Sequence, residues 1–138
     1  MRLQPIVDRL AGKPFARVEG ALEFAELAKR PGALPAAFVV PVRKAAADNK
    51  NGTGSIDQRV VEEFMVVLVM EPRARTLNKI DEQMAELEDL AIERLLGFTP
   101  PGHSTPITYG GGDLAGVGPS QVSWASRFRT AHHLRKTS

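Results

Sequence analysis

The sequence contains no cysteine. Disulfide bonds, thiolate metal sites and cysteine nucleophiles are therefore excluded. No apolar run is long enough to cross a bilayer, which takes about 20 residues. The opening residues, Met1-Arg2-Leu3-Gln4-Pro5, lack the apolar core of a signal peptide. The expectation is a protein made and kept in a cytosol, with no membrane partner. Aromatic residues make up only 6% of the chain and no concentrated basic stripe is interleaved with them. The pattern of a dedicated nucleic-acid binder is thus missing.

Catalytic motifs are missing as well. Ser104, Ser123 and Ser126 sit in no nucleophile-elbow pattern. Gly52 and Gly54 form a Gly-x-Gly, but no Gly-Lys-Ser/Thr follows, and a strand rather than a helix comes next. His103 stands alone. His132 and His133 are adjacent, and neighbours on a strand point to opposite faces, so they are poor joint ligands for one ion. The acidic residues after position 80 have no histidine at ligand spacing and read as a solvated helix face. Neither a metal, a cofactor nor an enzymatic activity is expected.

What is present is the composition of one ordinary globular domain, residues 1–138, with 43% hydrophobic and 25% charged residues. Net charge is +2 but unevenly spread: residues 1–56 carry nine basic and five acidic side chains, 57–97 five and ten, 98–138 four and one. A negative block between two positive ones suits head-to-tail self-association.

The chain is organised around residues 57–96. Asp57 to Met70 reads as a long strand, mixed at first and apolar throughout from Phe64. Both faces of that second half must be covered. Pro72 ends it. Leu77, Ile80, Met84, Leu87, Leu90, Ala91 and Leu95 then recur at spacings of three and four, the stripe of an amphipathic helix. Thr76 is its expected N-cap, and Gly97 with Pro100-Pro101 its stop. A buried strand joined to such a helix is a layered α/β unit.

Elsewhere the pattern predicts a short helix over 2–11, a strand over 15–19, and a helix over 21–30 with Leu22, Ala25, Leu27 and Ala28 inward. A strand over 36–42 follows, with Pro41 at an edge or strand end. Residues 44–56 lose all periodicity and predict a flexible loop, with Lys44, Asp48, Asn49, Lys50 and Asn51 as candidate partner-binding residues. Residues 107–110 predict a short strand among glycines. Residues 121–131 alternate, with Val122, Trp124 and Phe128 inward and Ser123, Arg127 and Arg129 outward. Arg127 and Arg129 are the candidate contact residues, toward another subunit or passing DNA. Residues 135–138 are expected to fray.

In this order, Phe38-Val39-Val40-Pro41, the polar loop, Arg59-Val60 to Val69, Leu95-Leu96-Gly97-Phe98-Thr99-Pro100, Tyr109-Gly110-Gly111-Gly112-Asp113-Leu114 and Trp124-Ala125-Ser126-Arg127-Phe128 resemble the tail terminator, or tail completion, proteins of long-tailed bacteriophages. The resemblance spans about residues 1–135. It implies an α/β (α+β) fold: a mixed, largely antiparallel sheet with helices packed against it. It implies a structural virion protein of the tail neck, assembled in the bacterial host, that forms a homo-oligomeric ring, a hexamer. The ring caps the head-proximal end of the tail tube and ends its polymerisation. The implied partners are the chain itself, the tail tube protein, the head–tail connector, the sheath's terminal ring where the tail is contractile, and DNA in transient contact within the lumen. A head–tail connector or another small ring-forming neck protein is the alternative, and a host α/β enzyme the more distant one.

Overall fold

The computed structural model describes residues 2–27, 32–51, 54–72, 77–118 and 120–137, and the side chains at 77 and 78 are left out. The expected N-cap Thr76 and the end of the 21–30 helix, from Ala28 to Pro31, lie outside the described residues, as do Gly52 and Thr53 of the expected loop. The chain runs α1 (Gln4–Leu10), β1 (Arg17–Glu19), α2 (Ala21–Glu26), β2 (Ala36–Ala46), β3 (Ile56–Met70), α3 (Leu77–Leu95), β4 (Thr108–Val117) and β5 (Val122–Lys136). The five strands form one mixed sheet in the order β1-β2-β3-β5-β4. Only β1 and β2 pair in parallel; every other pairing is antiparallel. The fold is α+β, as expected.

β3 is the centre. It pairs with β5 without interruption from Ile56↔Lys136 to Met70↔Val122. Its alternate residues Phe64, Val66, Leu68 and Met70 face α1 and α3 and join Met84, Leu87, Ala91, Leu95 and Phe128 in the main core. The rings of Phe64 and Phe128 stack at 5.6 Å. Val67 and Val69 point the other way, into a smaller cluster with Ala36, Phe38 and Leu27. Phe24 of α2 meets Phe38 at 5.4 Å. This two-sided cover is why Phe64 to Met70 is apolar at every position. α2 reaches only that end of the sheet. The mixed first half of β3 is therefore open on this second face, where Arg59, Val61 and Glu63 stand.

α1 is clasped to α3 by Arg94, whose guanidinium donates to the carbonyls of Leu10 at 2.6 Å and Lys13 at 2.5 Å. The Leu10 carbonyl is one that the end of a short helix leaves without an intrahelical partner. Gly97 has φ +83°, the left-handed conformation that stops α3.

Several expectations need correction. Leu22, 71% exposed, and Ala25, also exposed, are not inward, because α2 packs through Phe24 and Leu27. β2 continues through Lys44 to Ala46, so the 44–56 loop shrinks to residues 47–55. Of the two positions expected for Pro41 it takes the edge: β1 stops opposite Phe38, and the ladder to β3 shifts register between Pro41 and Arg43, so the missing N–H lies on a free edge at a bulge. β5 continues to Lys136 rather than fraying from 135. The short strand at 107–110 is also longer than expected. β4 runs on through Gly110-Gly111-Gly112 to Val117, with irregularities at Tyr109/Gly111 and Leu114/Gly116.

Candidate functional site

The open face of the sheet carries the charge. Cross-strand register brings Arg43, Glu63 and Arg129 into one row, since Arg43 pairs with Glu63 and Glu63 with Arg129. A shallow cleft of about 280 Å³ lies among them, lined also by Ala45 and Val61. A further row joins Asp57 and Arg135. His133 meets Asp57 at 3.0 Å and Arg135 at 3.6 Å completes a small network. The His133 hydrogen bond, aided by the Arg135 charge, holds the Asp57 carboxyl below its usual range.

Arg127 and Arg129 share this face, away from Trp124 and Phe128, as the alternation predicts. Their surroundings differ. Arg127 is tied to Asp113 of β4 at 2.7 Å, an ion pair with both partners solvated. Arg129 is exposed. On the opposite side of the molecule, the outer surface of α3 presents Asp81, Glu82, Glu86, Asp89 and Glu93, all exposed. The protein is therefore a slab with a basic sheet face and an acidic helix face.

The side chain of Asn49 ties the hairpin between β2 and β3 together, beside a bond from Gln58 Nε2 to the Ala47 carbonyl at 3.0 Å. Asn49 Nδ2 donates to the carbonyls of Asn51 and Ser55, at 3.0 and 3.1 Å. Its Oδ1 accepts from the amides of Asn51 and Asp57, at 3.3 and 2.9 Å. Asp48, Asn49, Lys50 and Asn51 are exposed at this tip. Lys44 does not belong with them. It stands on β2, and its ammonium reaches Oε1 of Glu62 at 3.3 Å.

β4 is an outer strand of the sheet, paired only with β5. Leu114 and Val117 on it are 58% and 72% exposed. Leu114 lines a mostly apolar groove of about 390 Å³ together with Ile80, Met84, Val122 and Trp124.

Two polar clusters between the helices and the sheet escape a reading of the sequence. In the first, Oε2 of Glu88 on α3 accepts from Tyr109 Oη at 3.0 Å, Trp124 Nε1 at 2.5 Å and Ser126 Oγ at 2.6 Å. Burial, then the Glu88 contact, raises the Tyr109 phenol above its ordinary value of 10.0. The signal available was position: 88 is four after Met84 and three before Ala91, at the border of the apolar stripe. In the second, Glu62 is buried on the helix side of β3. His103 Nε2 lies 3.3 Å from its Oε2, and His132 Nδ1 3.8 Å from its Oε1. Burial pushes the Glu62 carboxyl up, but hydrogen bonds from His103 and Lys44 outweigh it and hold the group below its usual value. Burial pushes His132 down more than Glu62 pulls it up. The signal here was phase: Glu62 alternates in step with Val60 and Phe64, which are core.

Comparison with known proteins follows from this architecture. A family model described as "Phage tail terminator protein" matches residues 1–138. The comparison with curated proteins gave no match. Among solved structures, a chain of the virion of a native gene transfer agent particle is similar with a TM-score of 0.49, at 17% identity over 93% of this chain and 84% of that one. The chain belongs to the phage tail terminator family and is a tail-associated structural protein of the virion.

Proposed function

We propose that this protein assembles as a ring, a hexamer, on the head-proximal end of the tail tube. There it stops tube polymerisation and offers the docking surface for the head–tail connector. The observation that carries this is family membership over the whole chain. The two-faced charge distribution supports the ring. A basic sheet face and an acidic helix face on opposite sides of one slab favour a heterologous, head-to-tail contact, which closes into a ring when the rotation permits. In that contact Arg129 and Arg127 meet the acidic surface of α3 on the next subunit. Passing DNA touches this assembly only transiently and without sequence preference, because tight phosphate binding would stall its transit. The hairpin tip at Asp48 to Asn51 is the part offered to the tube, to the connector or, in a contractile tail, to the sheath's terminal ring.

The test is a length assay. Purified tail tube protein is polymerised with and without this protein, and tube lengths are measured by electron microscopy. Capped tubes of restricted length, bearing an extra ring at one end, are expected. Tubes of unchanged length without an end ring would overturn the reading. Binding to the isolated connector but not to tubes would favour the connector alternative.

A further inference from the structure

The charged face and the hairpin are absorbed by the assembly described above, but the cluster around Glu62 is not. Three segments far apart in sequence meet there: β3 through Glu62, the segment between α3 and β4 through His103, and β5 through His132. One donor atom from each lies within 4.8 Å of the others. We propose that Glu62, His103 and His132 form a binding site for one divalent transition-metal ion of the zinc type, which fastens the segment carrying His103 to the sheet.

The donor set is the first argument. Two imidazole nitrogens and one carboxylate oxygen suit zinc, cobalt or nickel, whereas magnesium and calcium prefer all-oxygen shells. Distance is the second. Ligand atoms held tetrahedrally at about 2.0–2.2 Å from one zinc ion lie roughly 3.3–3.5 Å from each other. His103 Nε2 lies 3.3 Å from Oε2 of Glu62 and His132 Nδ1 lies 3.8 Å from Oε1, and one donor atom from each residue lies within 4.8 Å of the others, so a modest side-chain adjustment brings the three onto one ion.

Hydrogen bonding is the third and most specific. His103 Nδ1 lies 3.4 Å from the carbonyl oxygen of Pro101, which can only accept. In the metal-free protein Nε2–H donates to Glu62; in the tautomer with Nδ1 donating to Pro101, Nε2 carries the lone pair that a metal ion needs. A ligating imidazole is commonly oriented in this way, its second nitrogen bound to a backbone carbonyl. His132 Nδ1 is buried and has no hydrogen-bond partner. Its distance from Glu62 is too long for a hydrogen bond. A buried ring nitrogen without a partner, beside a second imidazole and a carboxylate, calls for an explanation, and an ion bound by all three supplies it.

Access is the fourth. The cluster lies at a cleft of about 550 Å³ lined also by Arg2, Pro5, Pro101 and Gly102, with room for a water as a further ligand. A cation already competes for the carboxylate. Lys44 neutralises Glu62 from the side, but its side chain is 59% exposed and can swing into solvent as the ion arrives. The pairing that sequence disfavours, His132 with His133, is not the one used. His133 is on the opposite face, bonded to Asp57.

The experiment uses the full chain without a histidine tag, stripped of metal by a chelator. Zinc is titrated by calorimetry, cobalt by visible absorption, and melting is followed in both states. We expect saturable binding of one ion per chain and a rise in melting temperature with zinc, since a ligand bound only by the folded state stabilises it. His103→Gln and His132→Gln should each weaken binding by about 100-fold or more, at or beyond the 10–100-fold typical of losing only an outer-shell partner. His133→Gln should leave binding unchanged. Lys44→Gln should tighten it, because the competing cation is gone. Circular dichroism checks that each variant is folded, and the wild-type titration stands regardless of the variants. Absence of saturable binding to the wild type overturns the proposal. So does binding that survives both His103→Gln and His132→Gln, or that is lost equally in His133→Gln. None of these outcomes bears on ring assembly, so the two readings fail separately.

Discussion

The indole N–H of Trp124 donates to Oε2 of Glu88 at 2.5 Å, fastening the middle of α3 to β5 through a single carboxylate oxygen. Ser126 and Tyr109 donate to the same oxygen, so one helix position gathers two strands. The arrangement depends on what is absent beside it. A Cβ at Gly112 would lie 2.5 Å from Trp124 Nε1 and 2.7 Å from Glu88 Oε2. Only a residue without a side chain fits.

Gly112→Ala should therefore destabilise the fold. The indole cannot retreat without leaving its place on the core, although the carboxylate is more mobile. Overpacking of this kind costs about 1–3 kcal/mol. Denaturant unfolding followed by Trp124 fluorescence, the chain's sole tryptophan, measures it directly. Stability equal to the wild type would mean that the three donors do not need this geometry.

Tyr109 is the sole tyrosine, so phenolate absorbance reports on it alone. Its titration midpoint in the native protein should lie above 10.0, because burial and the bond to Glu88 disfavour the phenolate. Glu88→Gln should move the midpoint down toward the ordinary value. The sign for stability follows: a raised folded-state pKa contributes fully below the unfolded value near 10, and the contribution is lost as pH rises through the folded value. A midpoint at or below the free value would show that the phenol is not bonded to the carboxylate.

Arg127→Glu with Arg129→Glu should leave the monomer folded. The Arg127–Asp113 pair is solvated on both sides, and such pairs contribute about 0–1 kcal/mol. Ring assembly should fail, because the sheet face loses its charge complement to α3. Denaturation curves and native mass measurements on assembled tails separate the two effects. Rings that form normally would remove this face from the proposed contact.

Asn49→Ala should loosen the hairpin tip without unfolding the sheet. Four hydrogen bonds from one exposed side chain are lost, yet water can replace them, so the global cost should stay near 1 kcal/mol. Hydrogen exchange should quicken at the amides of Asn51 and Asp57 while the amides of β3 beyond Val60 keep their protection. Unchanged exchange at both tip amides would contradict the role assigned to Asn49.

The sequence made β3 and α3 legible because each carries a hydrophobic period that burial enforces locally. Val67 and Val69 could be assigned cover on the second face from pattern alone. Only the start of β4 is legible: Gly110, Gly111 and Gly112 are breakers by propensity, and pairing with β5 and room for Trp124 explain why the strand runs on. The full length of β2 is hidden because proline normally ends a ladder, and the absence of β1 beyond Phe38 decides otherwise. The outward phase of Arg127 and Arg129 was readable, but Asp113 as a partner was not, since it depends on the neighbour strand. His103 and Glu88 belong to the same class. Each finds its partners across at least twenty positions, and no local spacing encodes that.

The unbroken ladder between β3 and β5 also governs when the chain can fold. Met70 and Val122 are 52 residues apart in sequence, and Ile56 and Lys136 are 80 apart. Closing separations of that length is slow, and no contact rewards it until both strands exist. During synthesis β3 emerges with an apolar edge and no partner on that side, and it waits through the whole of α3 and β4. The nascent protein is thus most exposed to aggregation in this interval, and a chain interrupted before β5 should be cleared rather than incorporated. Only finished subunits would then be competent to join a particle.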